Sequence, residues 1–307
     1  MRVTKSSVKK KKILFIVNPV SGLFAKHRVP HRVEKYLDHN QFDYEIRLTE
    51  RPGHATELSA WAVKQNFDIV VAAGGDGSVN EVARGLIGSN VALGIIPLGS
   101  GNGFANNIGL RPHQVIDAIR NFNHGNMECV DLGESDLGIF VSNLGIGFDA
   151  HVAHRFAKYK LRGLFSYLNA SLGEYFFSYK CDDVILVMDG KELKRKIFMC
   201  SVFNSNQYGY HIGPLKRAGL KDGFLEIFVL NKFPKWQVFW YSWLLMIKRA
   251  EGKKHVEVFR VKEFKIRKEG KMILQYDGEP AEWENEINLC IKPISLNVIT
   301  RPNTNEK

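Results

Sequence analysis

The stretch AAGGDGSVNEVARGL, residues 72–86, follows a short apolar run and leads into a segment with helical periodicity. Glycines at 74, 75 and 77 let the backbone turn sharply and expose consecutive N–H groups, and the start of the next helix favours negative charge. Asp76 lies between the glycines, where a carboxylate suits Mg²⁺ binding or a hydrogen bond from a substrate hydroxyl. Alone, the stretch fits either a phosphate-binding loop or an ordinary strand-to-helix turn.

The sequence on both sides of this stretch alternates between two periodicities up to about residue 132. Short β-branched runs alternate with helical patterns, a rhythm that predicts a parallel sheet with helices on both faces. The runs lie at 13–17, 44–48, 68–73 and 92–97, and the helical patterns near 28–39, 54–66, 78–88 and 112–122. The fold class of this half is therefore α/β.

After residue 132 the pattern changes to strands joined by polar turns, including an Asp189-Gly190 hairpin signal. This half is predicted to be a mainly β sandwich domain with two helical inserts, at about 152–178 and 234–249. We divide the chain into a basic arm at 1–12, an α/β domain at 13–132 and a β-rich domain at 133–300. An alternative for the end of the chain is that it returns to the first domain.

Composition and charge restrict the functional classes. The 307 residues carry a formal net charge of +11, and six of the basic residues lie within the first twelve positions. Such an arm is usually a solvated tail, and the alternative is an anchor to an anionic surface, toward which the charge gives a mild bias. The four cysteines are far apart and form no CxxC pair, so neither a zinc site nor a disulfide framework is predicted. No apolar run is long enough to span a membrane. We expect a cytoplasmic protein, attached at most to a membrane face, with no nucleic-acid partner.

The second insert, PKWQVFWYSWLLMIKR, is rich in aromatic residues and flanked by lysines. At helical spacing its apolar residues share one face: Trp236, Phe239, Trp240, Trp243, Leu244 and Ile247. Such a stripe is more often core than surface, so we favour a helix packed on its own sheet. The alternative is a helix that lies in a membrane interface.

Two further turns lie at the same predicted edge of the sheet as the GGDG turn. Strand one ends in VNPVSG, which supplies Asn18, Ser21 and Gly22, and strand four ends in PLGSGNGFANN, which supplies Ser100 and Asn102. The carboxyl edge is where open α/β sheets bind ligands. Three polar or glycine-rich turns at this edge favour a binding site over a chance turn.

These motifs resemble those of the diacylglycerol kinase catalytic family, in its soluble bacterial branch, which also includes sphingosine and ceramide kinases. The resemblance runs in order through NPVSG, GGDGSVNEVARGL, IIPLGSGNGFANNIG, VDLG, SNLGIGFDAHVA, GLKDGFLEI and YDGEP, and covers residues 12 to about 300. It implies an NAD-kinase-like nucleotide-binding domain, a β-rich lipid-substrate domain, and transfer of the γ-phosphate of ATP, with Mg²⁺, to a lipid hydroxyl.

The resemblance also assigns residues. Those expected to contact ATP are Asn18, Pro19, Val20, Ser21, Gly22, Thr49, Gly74, Gly75, Asp76, Gly77, Ser78, Val79, Asn80, Glu81, Ser100 and Asn102. The catalytic group is expected to combine Asp76, at the metal, with Asp277 and Glu279, either of which is a candidate for the base. Two neighbouring carboxylates compete for charge, so one can hold a proton near neutral pH. The alternative for YDGEP is a plain β-turn.

Three more aspartates receive roles from the resemblance. Asp131 is expected to support the Mg²⁺ and water network, and Asp149 to contact the polar head of the substrate or, alternatively, to cap its own helix. Asp222, with backbone oxygens of Gly219 and Phe224, is expected to bind a structural Mg²⁺ or, alternatively, to cap a turn.

One departure bears on the substrate. Where soluble bacterial diacylglycerol kinases read G-T-x-N-D, this chain has Gly103 in place of the final aspartate. Diacylglycerol is the leading substrate, with a long-chain base such as sphingosine, or phosphatidylglycerol, as alternatives. A non-catalytic lipid-binding homologue and a soluble-substrate kinase of the NAD kinase type are the rivals. The expected partners are a membrane lipid and an anionic membrane surface at the inner face, and a homodimer is compatible with the sequence.

Overall fold

The structure is a computed structural model that describes residues 9–21, 25–99, 102–111, 114–157, 181–204 and 219–301. The helices are α1 Ala25–Tyr36, α2 His54–Lys64, α3 Asp76–Leu86, α4 Gly103–Asn107, α5 Val115–His124, α6 Phe148–Phe156 and α7 Val238–Met246, the last preceded by a 3₁₀ turn at Lys235–Gln237. The strands are β1 Lys11–Val17, β2 Phe42–Leu48, β3 Ile69–Gly74, β4 Ala92–Pro97, β5 Asn126–Ser135, β6 Gly138–Phe140, β7 Asn143–Gly147, β8 Asp182–Met188, β9 Lys191–Phe203, β10 Leu225–Asn231, β11 Val256–Val261, β12 Glu263–Tyr276 and β13 Glu279–Thr300.

The first four strands form a parallel sheet in the order β2-β1-β3-β4. The chain leaves β1 toward one side to form β2, and leaves β3 toward the other side to form β4. The strand order therefore reverses between β1 and β3, and such a reversal opens a crevice at the carboxyl ends of the two strands. The ends are adjacent here, since Val17 pairs with Ala73.

Both faces of this sheet are covered because side chains alternate along each strand. In β1, Leu14 and Ile16 lie in the core beneath α2 and α3. Ile13, Phe15 and Val17 lie in the core beneath α1 and α5. The parallel sheet with helices on both faces is thus confirmed, with the helices at slightly different bounds from those predicted.

Among the described residues that follow α5, most lie in antiparallel strands, as predicted for this half. β8 and β9 form the hairpin at Asp189-Gly190, where both residues have positive φ, 49° and 71°. The long strand β13 pairs with β12 and then with β5, and its Val298 pairs in parallel with Leu93 of β4. β13 thus belongs to the same hydrogen-bonded sheet as the parallel strands.

The aromatic insert forms α7, and it is packed differently from the predicted single apolar stripe. Val238, Tyr241 and Leu244 are buried in a core cluster, whereas Trp240 and Trp243 are about half exposed, at 51% and 49%. The favoured packing of the tryptophan stripe in the core was wrong, because the tryptophans lie on the outer side of the helix. The assignment of Leu244 to their face was also wrong, because Leu244 lies on the inner side. The earlier insert begins as α6, and residues 158–178 of it lie outside the described residues.

In the part of the chain that the structure describes, no helix is both long and apolar enough to cross a membrane.

Candidate active site

The carboxyl ends of β1 and β3 are joined by Asn18. Its backbone N–H donates to the Ala73 carbonyl at 3.0 Å, and its Nδ2 donates to Ser78 Oγ, in the first turn of α3, at 3.2 Å. Its Oδ1 accepts the Val20 N–H at 3.1 Å, which folds the NPVS segment back over the edge. Gly22 and Ser100, both predicted ATP contacts, lie outside the described residues.

Two of the glycines in these turns have no room for a side chain. A Cβ atom on Gly74 would lie 2.3 Å from Ser78 Oγ, and one on Gly99 would lie 2.7 Å from the Cα of Gly75. The turns after β3 and β4 therefore touch through their backbones, and the carbonyl of Gly74 accepts the Leu98 N–H at 2.8 Å. Bare backbone at the start of a helix is a suitable cradle for phosphate.

Asp76 begins α3 and is partly buried beside the start of α4. Burial raises the pKa of Asp76 to about 6, and the backbone amides of Phe104, Gly103 and Asn102 oppose that rise. A carboxyl group with this pKa changes its charge near neutral pH and responds strongly to a nearby cation.

Several buried oxygen atoms at this edge have no hydrogen-bond partner among the described residues: Asp76 Oδ1, Asn80 Oδ1 and Asn102 Oδ1. Buried polar atoms are nearly always paired, so three unpaired oxygens at one edge fit a site where a ligand supplies the partners. Oxygen is also the atom that Mg²⁺ prefers. Across the described residues no group of three or more His, Cys, Asp or Glu side chains is arranged to hold a metal. A Mg²⁺ here fits only if nucleotide phosphates supply further ligands, which is its usual mode of binding.

The DGE turn between β12 and β13 brings a second carboxylate to this edge. A Cβ atom on Gly77 would lie 3.9 Å from Oε1 of Glu279, so the exposed Glu279 lies against the first turn of α3. Asp277 points the other way. Its Oδ1 accepts the N–H groups of Ser142 and Asn143, at 2.7 and 3.1 Å, and its Oδ2 accepts that of Val141 at 2.9 Å.

Asp277 is therefore buried and fully hydrogen-bonded, at a residue with φ of 51°. Burial raises the pKa of Asp277 to about 6, and the three amides act against that rise. A carboxylate whose two oxygens are already occupied by backbone amides is a poor proton acceptor for a substrate. Of the two candidates for the base, the geometry favours Glu279.

Other predicted ATP contacts have structural contacts of their own. Val79 is buried in the core under α3. Glu81 Oε2 accepts the N–H of Ala55 at the start of α2, at 3.1 Å. Thr49 is tied to β1 through its backbone N–H, which donates to the Val17 carbonyl at 3.0 Å. Pro19, Val20 and Ser21 follow Asn18 at the edge, and Val20 is exposed.

Asp131 joins three segments of backbone. Its Oδ2 accepts the N–H of Gly223 at 2.8 Å and its Oδ1 that of Ile294 at 2.9 Å, where β13 shifts register. Its own N–H donates to the Leu220 carbonyl at 2.7 Å. These contacts fix the approach of β5 to β13, and the predicted role of Asp131 in a Mg²⁺ network stays a prediction.

Asp222 has an arginine partner. Its Oδ2 lies 2.9 Å from Arg260 Nη2, and its Oδ1 accepts the N–H of Phe224 at 3.2 Å. The Arg260 guanidinium also lies 4.3 Å from the centroid of the Phe224 ring. A Cβ atom on Gly219 would lie 3.1 Å from Asp222 Oδ2. Asp222 and Gly219 therefore lie together, Asp222 is ion-paired with Arg260, and the predicted structural Mg²⁺ site of Asp222, Gly219 and Phe224 stays a prediction.

Asp149 lies in the first turn of α6, buried within a polar cluster. Its Oδ2 accepts a 2.7 Å hydrogen bond from Ser201 Oγ, and its Oδ1 accepts the N–H of Ala150 at 2.9 Å. Burial raises the pKa of Asp149 to about 6, and those donors oppose the rise. Both predicted roles, substrate contact and helix cap, stay predictions.

Three residues near this site were missed by the sequence reasoning. Gln275 donates to Asn143 Oδ1 at 2.7 Å and accepts the N–H of Gly278 at 2.8 Å, which supports the DGE turn. Arg84, two turns along α3 from Asp76, lies over the Tyr276 ring at 4.9 Å. Asn204 bonds the carbonyls of Asp131 and Val141. The available signal was a polar residue ending an apolar strand, at Gln275 and Asn204, and a cation within the GGDG helix, at Arg84.

Comparison with known proteins agrees with this arrangement. The sequence signature of the diacylglycerol kinase catalytic domain matches residues 12–135, and that of the YegS C-terminal NAD kinase beta sandwich-like domain matches residues 142–300. A diacylglycerol kinase of Mycobacterium tuberculosis is 31% identical over 227 residues, which cover 70% of this chain and 72% of the relative. A diacylglycerol kinase of Bacillus subtilis is 26% identical, with 90% and 93% covered.

Two solved structures show the same fold. A crystal structure described as a diacylglycerol kinase from Bacillus anthracis superposes with a TM-score of 0.73 at 20% identity, covering 96% of this chain and 98% of that one. An NAD kinase from Archaeoglobus fulgidus in complex with ATP superposes with a TM-score of 0.53 at 15% identity, covering 94% of each chain.

The α/β half carries a GGDG turn, and the β-rich half presents a carboxylate to that turn. Because the catalytic-domain signature and the relatives are those of diacylglycerol kinases, this chain is an enzyme of the lipid kinase class. Within the class it belongs to the diacylglycerol kinase family, because both family signatures match it in order and the M. tuberculosis relative covers more than two thirds of it. The resemblance inferred from the seven motifs is confirmed.

Proposed function

We propose that the chain transfers the γ-phosphate of ATP to the free hydroxyl of diacylglycerol and forms phosphatidic acid, with Mg²⁺ bound to the nucleotide. The observation that carries the proposal is the position of Glu279. This carboxylate comes from the β-rich half and lies against Gly77, next to Asp76 in the α/β half. Two acidic groups from different halves then meet at one edge, where a nucleotide and a second substrate can approach from opposite sides.

The roles follow from the contacts of each residue. The bare backbone at Gly74, Gly75 and Gly99 receives the phosphates, and the Asn18–Ser78 hydrogen bond holds this cradle open. Asp76, with its unpaired Oδ1, is the residue that would hold Mg²⁺. When bound, the ion supplies positive charge that stabilises the phosphoryl oxygens.

Glu279 accepts the proton of the lipid hydroxyl as its oxygen attacks the γ-phosphorus and ADP leaves. It is suited to this role because its side chain is exposed, whereas Asp277 behind it is occupied by three backbone amides. Asp277 then acts as a positioning residue that fixes the turn carrying Glu279.

The substrate is proposed from the names of the relatives, which are called diacylglycerol kinases at 26–31% identity. Gly103 replaces the aspartate of the bacterial pattern, and this departure weakens the assignment of diacylglycerol as the substrate. A long-chain base and phosphatidylglycerol are therefore the second candidates.

The test is phosphate transfer from labelled ATP to diacylglycerol, sphingosine, ceramide and phosphatidylglycerol in mixed micelles, with Mg²⁺ and with a chelator. We expect diacylglycerol to be phosphorylated well above the others, and only with Mg²⁺. Asp76→Asn and Glu279→Gln should each reduce kcat by roughly a hundredfold or more, whereas Glu284→Gln, an exposed acid on the same strand as Glu279, should retain turnover. Binding of ATP without any lipid product would instead support a non-catalytic lipid-binding homologue.

A further inference from the structure

Helix α7, with Trp236 in the 3₁₀ turn before it and Ile247 directly after it, exposes an apolar face. Trp236, Phe239 and Met246 are 75%, 66% and 64% exposed. The members of this aromatic face, all exposed, are Trp236, Phe239, Trp240, Trp243, Met246 and Ile247. Their spacing of three, four and seven residues places them along one side of the helix. The ring centroids of Trp240 and Trp243, in the middle of this face, lie 5.3 Å apart, so these two rings are adjacent.

The opposite side of α7 is already packed. Val238, Tyr241 and Leu244 are buried against the outer face of β9 and β10, in a cluster with Phe198 and Phe228. A helix that is apolar on every side is normally buried on every side. The inner side therefore accounts for the stability of α7 in the fold, and the aromatic face needs another explanation. A contiguous apolar patch of this kind marks an interaction site.

The charges around α7 indicate what that site binds. Between residues 232 and 254 the cations are Lys232, Lys235, Lys248, Arg249, Lys253 and Lys254, and the only acid in the sequence of that segment is Glu251. Aromatic residues flanked by Lys and Arg are the composition of a helix at a membrane interface, where the rings enter the headgroup region and the cations meet anionic phosphates.

The same charges argue against a second copy of the chain as the partner that covers the aromatic face. A twofold contact through α7 would pair the face with itself. In an antiparallel arrangement Lys232 and Lys235, near the start of one helix, would then meet Lys248 and Arg249 at the end of the other. Like charges at such a contact repel each other.

The end of α7 supplies a second observation. Lys248 has a left-handed backbone with φ of 53°, at the position after a helix that glycine usually takes. The turn is closed by the Arg249 N–H, which donates to the Leu244 carbonyl at 2.8 Å, and by the Lys248 N–H, which donates to that of Leu245 at 3.2 Å. A glycine would adopt this conformation at lower cost. The chain thus carries a lysine beside the aromatic face at the expense of local backbone stability.

We propose that the aromatic face of α7, with its flanking cations, inserts into the headgroup region of an anionic lipid bilayer and holds the enzyme at the surface where its lipid substrate lies. The benefit for catalysis rests on the proposed function, but the binding itself does not. The bilayer contacts the face directly and requires no other segment of the chain.

The experiment is co-sedimentation of the full chain with vesicles of phosphatidylcholine alone and of phosphatidylcholine mixed equally with phosphatidylglycerol. We expect binding to the mixed vesicles and much weaker binding to the neutral ones. Trp240→Ser with Trp243→Ser should reduce the affinity for mixed vesicles by roughly tenfold or more, since each exposed ring contributes apolar area to the bilayer contact. Both residues are on the surface, and circular dichroism verifies that the double variant is folded.

A matched pair of methionines provides the control. Met246, on the aromatic face, and Met127, on β5, are almost equally exposed, at 64% and 62%. Met246→Ser should weaken vesicle binding, and Met127→Ser should leave it unchanged. Lys248→Gly should weaken binding to the anionic vesicles while it maintains or raises the melting temperature, because glycine suits the left-handed turn.

Two readouts separate this proposal from the kinase assignment. The double tryptophan variant should phosphorylate a short-chain diacylglycerol, kept below its micelle concentration, at the wild-type rate, and lose activity only on vesicles. The proposal would be overturned if the wild-type protein did not bind anionic vesicles, or if the variants bound them as well as the wild type. It would also be overturned if the wild type were a dimer that Trp240→Ser dissociates. Vesicle binding without phosphorylation of any lipid would overturn the proposed function and leave this inference standing.

Discussion

A Cβ atom on Gly99 would lie 2.7 Å from the Cα of Gly75, so the turns after β3 and β4 pack backbone to backbone at the site. The relationship is not symmetrical. A Cβ atom on Gly75 would lie 3.5 Å from the Cα of Gly99, which is an ordinary contact. The two alanine substitutions therefore probe one contact from opposite sides and should differ in outcome.

Gly99→Ala should destabilise the protein by about 2 kcal/mol, since the added methyl group forces the two turns apart as in an overpacked core. Activity should fall with it, because the cradle of Gly74 and Gly75 moves. Gly75→Ala should leave the melting temperature close to that of the wild type, as φ of −95° at this residue suits alanine. Thermal unfolding of both variants tests the asymmetry, and equal melting temperatures would contradict it.

Substitutions of the two acids of the DGE turn should differ in their effects on stability and on turnover. Asp277→Asn replaces a carboxylate that accepts three backbone N–H groups by an amide with one acceptor, so it should lower the free energy of unfolding by about 2 kcal/mol. Glu279→Gln should leave stability unchanged, because the side chain is exposed, and reduce kcat by roughly a hundredfold or more.

Denaturant unfolding and kcat, measured on the same two preparations, decide between the roles. A stable Asp277→Asn variant with no turnover, beside an active Glu279→Gln variant, would exchange the assignments of positioning residue and base.

The sequence predicted the sheet well because its signals are local. Alternating periodicity located the four parallel strands, and the turns at Asn18, Gly74 and Gly99 follow directly from strand ends that share one edge. The order of the strands brings β1 and β3 side by side, which is why the NPVSG and GGDG turns meet. Nothing beyond pattern and topology was needed for these features.

The orientation of individual side chains was not predictable in the same way. YDGE places two acids within three residues, and only the loop at 141–143, far away in sequence, decides that Asp277 turns inward. Asp222 likewise owes its ion pair to Arg260, thirty-eight positions along the chain. In α7, Leu244 faces inward because β9 and β10 present a second apolar surface, which the helical spacing alone cannot show.

The Arg260 ion pair leads to a prediction about metal dependence. Asp222 and Glu226 both lie within 3.3 Å of the Arg260 guanidinium, so Arg260→Met leaves two neighbouring acids without their cation. The variant should lose about 1 kcal/mol of stability, a modest loss because the arginine is half exposed. Millimolar Mg²⁺ should then raise the melting temperature of the variant more than that of the wild type.

Lys262→Met is the control for this comparison, since Lys262 lies over the same Phe224 ring at 5.5 Å. Its response to Mg²⁺ should equal that of the wild type. An equal Mg²⁺ response in the wild type and in Arg260→Met would mean that the arginine does not take the place of a cation at Asp222.

Asp149 should make stability depend on pH. Burial raises the pKa of Asp149 from about 3.8 to about 6, so between these values the folded protein holds a proton that the unfolded chain releases. The stability that this group contributes is complete below about pH 4 and is lost as the pH rises through 6, by at most about 3 kcal/mol. Asp149→Asn does not titrate, so its stability relative to the wild type should increase over that range.

Denaturant unfolding of both proteins from pH 4 to pH 7 measures this difference. Asp76 and Asp277 also have a pKa raised to about 6, but they titrate in both proteins and cancel from the comparison. The Ser201 hydroxyl donates to Asp149 and so stabilises the charged carboxylate. Ser201→Ala removes this donor and should raise the pKa of Asp149 further. That variant should therefore lose stability over a range that extends to higher pH. Parallel stability curves for Asp149→Asn and the wild type would show that Asp149 is already ionised in the folded protein at pH 4.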